Sequence, residues 1–516
     1  MLAYLIPTII IARLIAQEEW GYLILATSYI TIAGIILLFL PPSFGNSMNY
    51  YIPKYRVTER VTKLKSFISK AYSIRLLSVL SVFFLSYIIF FNFLDLFRVS
   101  LNQYAHLLLI IAPLIITSNL DENFNEIYRG FNKFEYVFIT TMFKAFLTIG
   151  ALIYFFFFAT EVSVETIAYI NLYTAVLPFV VNVIIAFVFL RFRFRNKDHE
   201  KIKLKIVLKE LFTYGLVVSG KNSIVSVTQE AKTQLLGIYA NAKWVTGYNI
   251  GLNIKKVPNQ SASVLFQPLI ISFSKLYTEK DFDQITKIYR YINKIVVIIE
   301  LLIGGLTLFL IAPFLYFLYG ESYLIYTVFI QLFILSTLWA PQSSLVISLL
   351  KVSDKLKYLI PIAILFTAVR LPLFLIFIFF FGAIGAVWSI LISSIIVFLI
   401  SLYLPLKLFD IKVDYMKILI QYVFFFIALG ISLLLDALFF HEFYLTLLNN
   451  LNLSFVRYFP VFAILIFYSI FSFLIIIGRI INHSDIKYLE AFFDQNTFLH
   501  KYIRKVLRLT RIFVRR

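Results

Sequence analysis

Residues 166–195 read TIAYINLYTAVLPFVVNVIIAFVFL followed directly by RFRFR. The apolar run is long enough for a helix to cross the hydrocarbon of a bilayer, which takes about 20 residues. The arginines that follow it are typical of a helix end that lies at the lipid headgroups. The whole chain has this character, since 61% of it is hydrophobic, its mean hydropathy is +0.89 and only 14% is charged. We therefore predict an all-α integral membrane protein.

The sequence predicts about fourteen transmembrane helices, each built on an apolar segment that meets or approaches the required length. These segments lie near residues 2–16, 22–40, 72–92, 104–120, 136–158, 166–190, 211–236, 244–272, 293–318, 325–349, 357–380, 384–406, 416–440 and 456–478. No basic region precedes the first segment, so a cleaved signal peptide is not expected.

The lysines and arginines fall almost entirely on alternate connections between these segments. The connections after every second segment, together with the C-terminal tail, hold 37 of the 47 basic residues. The positive-inside rule then predicts a multi-pass protein of the cell membrane with both termini in the cytoplasm. The net charge of +20 follows from this topology, so it is no argument for nucleic-acid binding. The basic runs at 191–195 and 501–516 are expected to lie against anionic membrane lipids.

The sequence gives little support to catalysis or metal binding. It contains no cysteine, which excludes Cys-ligated metals, and its five histidines are scattered without a metal-binding spacing. Asp281-Phe-Asp283 resembles the DxD motif that holds a nucleotide-sugar metal, but its place in a short connection favours a solvated helix face. No connection is long enough for a folded catalytic domain. We therefore expect no metal, no cofactor and no enzymatic activity.

Matching turns in the two halves indicate an internal repeat. Arg129-Gly-Phe-Asn-Lys133-Phe-Glu-Tyr136 and Lys351-Val-Ser-Asp-Lys355-Leu-Lys-Tyr358 share the pattern basic-x3-Lys-x2-Tyr at the same place in each half. The turns after the second and eighth segments match in the same register. Two six-helix lobes related by an axis along the membrane normal would enclose a central cavity. The alternative is that short cytoplasmic turns simply look alike.

This repeat predicts the organisation of the chain. The parts are a first lobe at 1–190, a basic linker at 191–210, a second lobe at 211–407, two additional helices at 408–480 and a basic tail at 481–516.

Charged side chains inside the predicted segments mark the candidate site. A charge at the bilayer centre costs about 2.5–3.5 kcal/mol and usually faces a cavity or a partner. In the repeated core, cations outnumber carboxylates, and both lysine and arginine bind phosphate, so the pattern favours an anionic substrate. The candidate substrate-binding residues are Lys144, Lys221, Asn222, Lys255, Lys256 and Arg370, and the candidate ion-coupling residues are Glu230, Glu300 and Asp436.

Each of these residues also has a plainer interpretation. Lys144 and Arg370 could extend along the helix so that their charges reach the headgroups. Lys221 could pair with an intramembrane carboxylate. Lys255 and Lys256 could lie near a helix break at the membrane interface.

Several short motifs resemble those of Wzx-type polysaccharide flippases. Arg13-Leu-Ile-Ala-Gln-Glu-Glu-Trp-Gly21 resembles their R-L-x-G-x-x-x-aromatic-G stretch, and Asn49-Tyr-Tyr-Ile-Pro53 resembles their R/N-Y-x-P stretch. Tyr128-Arg129-Gly130 matches their RG turn, and Gly237–Asn249 is similar to their G-x7-V-G-x-Y element. Further similarities follow in order up to about residue 407.

The resemblance implies a fold and a substrate. The family belongs to a superfamily that also contains MATE multidrug exporters and lipid II flippases, with fourteen helices, two lobes and a cationic cavity. The implied substrate is a polyprenyl-pyrophosphate-linked oligosaccharide, which alternating access moves from the cytoplasmic to the outer leaflet. Other glycan-assembly proteins are further candidate partners. Ala16 replaces the usual glycine of the first motif. The usual acidic residue of segment 7 is Lys232 or is displaced to Glu230, which leaves the coupling ion open.

Three other functions fit parts of the sequence. A MATE-like drug or ion antiporter would place carboxylates in the cavity. The candidate residues of this chain are mainly basic, which counts against this function. A membrane glycosyltransferase or polymerase would require an exterior catalytic loop, and no loop of sufficient length is present. A non-transporting scaffold for glycan enzymes would give no reason for the intramembrane cations.

Overall fold

The computed structural model describes residues 2–42, 44–57, 61–159, 161–194, 200–440 and 460–480. This part of the chain is built of helices joined by short turns, and it contains no β-strand. The all-α prediction is thereby confirmed. The predicted basic tail at 481–516 and the centre of the predicted basic linker, at 195–199, lie outside the described residues.

The described residues form seventeen α-helices. In chain order these are α1 Leu2–Leu14, α2 Gln17–Ile35, α3 Phe44–Val57, α4 Val61–Asn92, α5 Leu94–Leu101, α6 Leu107–Ile111, α7 Leu114–Gly130, α8 Phe134–Phe158, α9 Val164–Arg193, α10 Leu204–Ala240, α11 Ala242–Thr278, α12 Phe282–Phe314, α13 Thr327–Leu335, α14 Ala340–Val352, α15 Leu359–Phe409, α16 Tyr415–Leu435 and α17 Val461–Ile477. Single π-helical turns follow α12, at Leu315–Tyr319, and α16, at Asp436–Phe440.

Seven helical stretches of the described chain are long and apolar enough to cross a membrane, or nine if each of two bent helix pairs forms one span. The seven are Gln17–Leu38, Thr62–Asn92, Phe134–Phe158, Val164–Arg193, Phe282–Tyr319, Leu359–Phe409 and Tyr415–Phe439. Helices α1 and α17 are apolar but shorter, and α10 and α11 are longer but more polar. The chain is thus a multi-pass membrane protein, and the number of fourteen spans stays a prediction.

Two of the predicted spans are bent, each close to a proline. The span predicted at 104–120 turns by 48° between Ile111 and Leu114, where Pro113 has no backbone N–H to donate. It then continues as α7, well beyond its predicted end. The span predicted at 325–349 turns by 44° between α13 and α14, just before Pro341.

Helix α15 contains two predicted spans in one element. It is 51 residues long, which at 1.5 Å per residue is about 75 Å, more than twice the hydrocarbon thickness. Its backbone leaves helical geometry at Gly382, where φ is +58° and ψ is −140°. A side chain at this φ would be strained, so glycine permits the break. The stretches on either side of it correspond to the spans predicted at 357–380 and 384–406.

Contacts between Cα atoms divide the chain into two compact units. The first comprises Met1–Ile250 and Leu359–Ala386, and the second comprises Gly251–Tyr358 and the chain from Val387 onward. These units do not follow chain order, and the lobe boundaries that the sequence repeat suggests stay a prediction.

In the first unit, α2 packs closely against α10 with the two helices running in opposite directions. At one end of this contact, a Cβ atom on Gly21 of α2 would lie 1.9 Å from the carbonyl oxygen of Ala242, the first residue of α11. At the other end, a Cβ atom on Gly215 of α10 would lie 2.0 Å from the carbonyl oxygen of Pro42, in the segment that follows α2. Between these contacts, the Gln234 amide donates a hydrogen bond to a backbone carbonyl of α2 at 3.0 Å. The backbones therefore approach as closely as only glycine allows.

In the second unit, α16 and α17 pack against α12 through aromatic side chains. The rings of Phe425 and Phe467 meet edge to face with their centroids 5.5 Å apart. Gly305 of α12 leaves room for the Phe467 ring, and the Tyr468 hydroxyl donates to the Leu302 carbonyl at 2.9 Å. The C-terminal helices are therefore part of the core of this unit.

The contact at Gly21 yields a stability prediction. We expect Gly21→Ala to lower the free energy of unfolding by about 2 kcal/mol or more, because the added methyl group overlaps a backbone carbonyl that cannot easily move. The apparent unfolding temperature of the purified protein in detergent measures this loss.

Gly150→Ala is the matched control for this change. Gly150 lies in α8, and a Cβ there would meet nothing within 4 Å. This substitution should stabilise the helix by about 0.5–1 kcal/mol. Equal unfolding temperatures for the two variants would contradict the close approach of α2 to the start of α11.

Candidate functional site

The first unit contains a cavity of about 680 Å³ between α1, α2, α7, α8 and α9, with Ser226 of α10 also on its wall. The polar groups that line it are hydroxyls, amides and one ammonium group. They belong to Thr8, Thr27, Thr31, Ser118, Asn119, Thr141, Lys144, Thr148, Asn171, Thr174 and Ser226. Helices of a membrane protein thus collect their polar side chains on one inner surface.

Helix α8 illustrates how the sequence creates this lining. Thr141, Lys144 and Thr148 are three and four residues apart, so they share one face of the helix, and this face lines the cavity. Phe146 and Phe157 lie on other faces and are each 71% exposed at the protein surface. The helix therefore turns its polar side inward and offers aromatic side chains to lipid.

Several hydroxyl groups of the lining donate to a carbonyl of their own helix. Thr27 donates to Leu23 at 2.8 Å and Thr31 donates to Thr27 at 3.0 Å. On α8, Thr148 donates to the carbonyl of Lys144 at 2.9 Å. Because the hydroxyl protons are engaged in this way, the oxygen lone pairs remain as acceptors. Such a lining can accept hydrogen bonds from a hydroxyl-rich ligand.

Lys144 is the only charged residue among the described residues that line the cavity. Its side chain is half-buried. Asp121, on the neighbouring helix α7, is close enough to interact electrostatically with its ammonium group. The positive charge of Lys144 is therefore partly compensated by Asp121, which does not itself line the cavity. An anionic ligand in the cavity would be attracted to the Lys144 ammonium group.

Asp121 belongs to a hydrogen-bond chain that joins α7 and α9. The Asn182 side chain donates to the Asp121 carboxylate at 2.7 Å and accepts from the Tyr128 hydroxyl at 2.9 Å. Asn182 and Tyr128 are fully buried. These residues escaped prediction because Asp121 follows the predicted end of its span. A single amide deep in an apolar segment is the signal that could have found them, since buried amides need partners.

Arg75 is a second residue whose buried position the sequence pattern does not predict. It lies on α4 and is 5% exposed. Its guanidinium group donates to the carbonyl oxygens of Leu37 and Leu40, the latter at 3.1 Å, and to the Asn119 side chain at 3.2 Å. These carbonyls lie where α2 ends, and Asn119 lines the cavity. Arg75 lies inside the span predicted at 72–92, yet it is not among the predicted site residues.

The other predicted residues of the first unit lie on α10 and α15. Asn222 and Glu230 are four residues before and after Ser226, so they share with it one face of α10. Lys221 is turned away from Asn222 by about 100° around the helix. Arg370 lies in the first part of α15, with its guanidinium group 5.7 Å from a phenylalanine ring of the same helix. None of these four predicted residues is among the described residues that line the cavity.

In the second unit, Lys255 and Glu300 lie close to each other. The Lys255 ammonium group is 5.1 Å from the centroid of the Phe333 ring and interacts electrostatically with Glu300. Lys256 is exposed and donates to an asparagine of its own helix at 2.8 Å. Asp436 is half-buried at the start of the π-helical turn that follows α16. The roles assigned to these four residues stay predictions.

The described part of the chain contains no group of three or more histidine, aspartate and glutamate side chains that could hold a metal ion. Asp281 of the DxD-like motif lies at the start of α12, where its carboxylate accepts from the backbone N–H of Gln284 at 3.0 Å. It therefore has the ordinary role of a helix N-cap.

Comparison with known proteins begins with the family. Residues 1–277 match the family described as polysaccharide biosynthesis protein. None of the curated proteins matches the chain significantly.

Solved structures with a similar fold are membrane transporters and a flippase. An inward-facing multidrug resistance MATE family transporter of the MOP superfamily is 14% identical, with a TM-score of 0.63 over 79% of this chain and 95% of that one. Lipid II flippase MurJ, in an inward closed conformation, is 17% identical, with a TM-score of 0.58 over 89% and 96% of the chains. A MOP superfamily transporter from Pyrococcus furiosus, described as having a binding pocket of reverse polarity, is 15% identical, with a TM-score of 0.52 over 80% and 93%. At these identities the likeness shows the fold alone.

The hydrogen bonds of Arg75 yield a second stability prediction. We expect Arg75→Lys and Arg75→Met each to lower the free energy of unfolding by about 2–3 kcal/mol, because the carbonyls of Leu37 and Leu40 lose a charged donor. Lysine should not rescue the loss, since its single ammonium group cannot reach several acceptors at once. Apparent unfolding temperatures in detergent measure both effects.

Arg98→Met serves as the control, because Arg98 is exposed and bonds to Asp95 only one turn away on its own helix. The loss of this exposed ion pair should change the free energy of unfolding by no more than about 1 kcal/mol. An Arg75→Met protein as stable as Arg98→Met would show that the end of α2 does not depend on Arg75.

Proposed function

Because the chain belongs to the polysaccharide biosynthesis protein family, we propose that it is a membrane flippase for lipid-linked oligosaccharides. The substrate is a polyprenyl-(pyro)phosphate-linked oligosaccharide, whose polar head the protein moves from the cytoplasmic to the outer leaflet of the cell membrane. Both termini face the cytoplasm in this proposal, as the positive-inside rule predicts. The family membership confirms the resemblance to polysaccharide flippases that is seen in the motifs between residues 13 and 249.

The cavity of the first unit is the observation that supports this substrate. Its hydroxyl oxygens can accept hydrogen bonds from sugar hydroxyls, and Lys144 offers an ammonium group to a phosphate. Its volume lies within the range of about 300–1,000 Å³ that holds a small ligand. Such a space suits the saccharide head, while the polyprenyl chain remains in the bilayer.

Transport proceeds by alternating access. In the inward state Lys144 binds the phosphate and the hydroxyl lining binds the sugars, and a change to the outward state then releases the head on the other side. No covalent bond changes, so no residue is catalytic. Further proposed contacts along the path are Lys221, Asn222, Lys255, Lys256 and Arg370, and proposed sites of ion coupling are Glu230, Glu300 and Asp436.

A multidrug antiporter is the second candidate, because the same fold occurs in a MATE family transporter. The charge of the cavity argues against it. A lysine on the wall repels a cationic drug and attracts a phosphate. Family membership and charge therefore both favour the flippase.

Lys144→Gln tests the proposed phosphate contact. It removes the charge, and the loss of one charge-assisted hydrogen bond of about 1.5–3 kcal/mol weakens binding by about 10- to 150-fold. We expect the purified variant to bind a polyprenyl pyrophosphate-linked disaccharide more weakly by this factor, as measured by titration calorimetry. Cells that depend on the variant should accumulate lipid-linked oligosaccharide on the inner leaflet.

Lys287→Gln is the matched control, since Lys287 is an exposed lysine of α12, and its replacement should leave binding and export unchanged. Normal export by Lys144→Gln, at wild-type amounts of folded protein, would contradict the proposed site. Normal surface glycan with altered drug tolerance in a strain that lacks the gene would favour the antiporter.

A further inference from the structure

The turn between α7 and α8 buries an aromatic ring at the edge of the first unit. Helix α7 ends in a Schellman motif, in which Asn132 has a φ of +58° and the Lys133 N–H donates to the carbonyl of Tyr128 at 2.8 Å. This turn directs Phe131 inward, so that it is only 5% exposed. Its ring packs edge to face against that of Phe194, which follows α9, with the centroids 6.3 Å apart. The turn therefore joins the end of α7 to the end of α9.

Two arginines from different helices contact this ring. The guanidinium carbon of Arg56, in the last turn of α3, is 6.0 Å from the centroid of the Phe131 ring. The guanidinium carbon of Arg193, the last residue of α9, is 5.6 Å from the same centroid. Arg56 also donates to the Phe131 carbonyl oxygen at 3.4 Å. Both arginines are exposed, so the ring brings two guanidinium groups together at one place on the surface.

The charge of this place is positive, and the carboxylates of the neighbouring segment bond to other cations. Arg129 bonds to two of these carboxylates, and Lys133 bonds to Glu135. Neither Arg56 nor Arg193 takes part in a salt bridge within the described part of the chain. Arg193 is also close enough to Lys133 for their charges to repel each other. Like charges that a fold holds together are unfavourable unless an anion binds among them.

The donor groups and their surroundings select the anion. Guanidinium N–H groups match the oxygens of a phosphate in a two-pronged geometry. Phe134 and Phe192 lie close by in the chain and are 60% and 68% exposed, so apolar surface borders the arginines. The positive-inside rule places this end of the helices at the cytoplasmic leaflet, where basic pockets between helices bind lipid headgroups. An apolar border beside the arginines suits a lipid, whose chains it can contact, better than a soluble anion.

We infer that Arg56 and Arg193 form a binding site for the phosphate of an anionic phospholipid of the inner leaflet. Both guanidinium groups donate to its oxygens, and the bound headgroup joins α3 to α9 across the turn that follows α7. Such a site differs from the general attraction of a basic run to a membrane, because it depends on two particular side chains. Neither arginine lines the cavity, so the site does not depend on the proposed transport.

Binding of phosphatidylglycerol to the delipidated full-length protein in an uncharged detergent tests the site. Native mass spectrometry counts the bound lipids, and the unfolding temperature measures their effect. We expect one tightly bound lipid per chain and a higher unfolding temperature with phosphatidylglycerol than with zwitterionic phosphatidylcholine. Arg56→Gln combined with Arg193→Gln should weaken the binding of phosphatidylglycerol by at least about tenfold, because charge-assisted hydrogen bonds to the phosphate are lost.

Lys201→Gln combined with Lys203→Gln is the matched control. Both lysines are exposed and lie just before α10, so the net charge falls by the same amount while the two arginines are kept. This variant should bind phosphatidylglycerol like the wild type.

A conservative variant keeps the test decisive if the double glutamine variant folds poorly. Arg56→Lys combined with Arg193→Lys retains both charges but not the planar fork of N–H groups. Its unfolding temperature without lipid should stay near that of the wild type, whereas its binding of phosphatidylglycerol should be weaker. General attraction between charges would leave the binding unchanged.

Three results would overturn the inference. The first is a wild-type protein that binds phosphatidylglycerol no more tightly than phosphatidylcholine. The second is equal binding of phosphatidylglycerol by the wild type and by every folded arginine variant. The third is displacement of phosphatidylglycerol from Lys144→Gln protein by an equal amount of polyprenyl pyrophosphate-linked disaccharide, which would assign the two arginines to the transported substrate.

Discussion

Lipid cannot hydrogen-bond to a backbone carbonyl, so every break in a membrane-spanning helix has to be satisfied from within the protein. The end of α2, between Ile36 and Pro42, is such a break. Arg75 donates to two of its carbonyls, and the Ser219 hydroxyl of α10 donates to a third, that of Leu38. Arg75 also binds Asn119 on the cavity wall. The contact of α2 with α10 and one side of the cavity therefore depend on the same few donors.

Each unit carries a lysine within electrostatic reach of a carboxylate on another helix. In the first unit these residues are Lys144 and Asp121, and in the second they are Lys255 and Glu300. A compensated charge is cheaper to keep inside a membrane than an isolated one. The arrangement also leaves each lysine able to exchange one anion for another. A phosphate that approaches either lysine has to compete with a carboxylate that is already close.

The fold class and most of the spans are predictable from the sequence, because length and hydropathy are properties of short segments. Lys144 is predictable as a candidate for the same reason, since it interrupts an apolar run. Asp121 is missed because a hydropathy pattern ends a span where charges begin, while the helix continues. Arg75 lies near the start of the span predicted at 72–92, where a basic residue is typical of the headgroup region, so its burial is not predicted. The hydrogen bonds of Asn182 with Asp121 and Tyr128 depend on which helices pack together, and no local pattern reveals that.

Helix α10 carries Lys221, Glu230 and Lys232, and it is not among the apolar spans of the described chain. Charges near a helix centre make release from the translocon into lipid unfavourable. Helix α2 is apolar, is synthesised much earlier and contacts α10 at Gln234 and Gly237. We therefore expect α10 to leave the translocon only when α2 is already inserted in the membrane and can pack against it. Biogenesis of the second half of the chain would then depend on a helix completed long before.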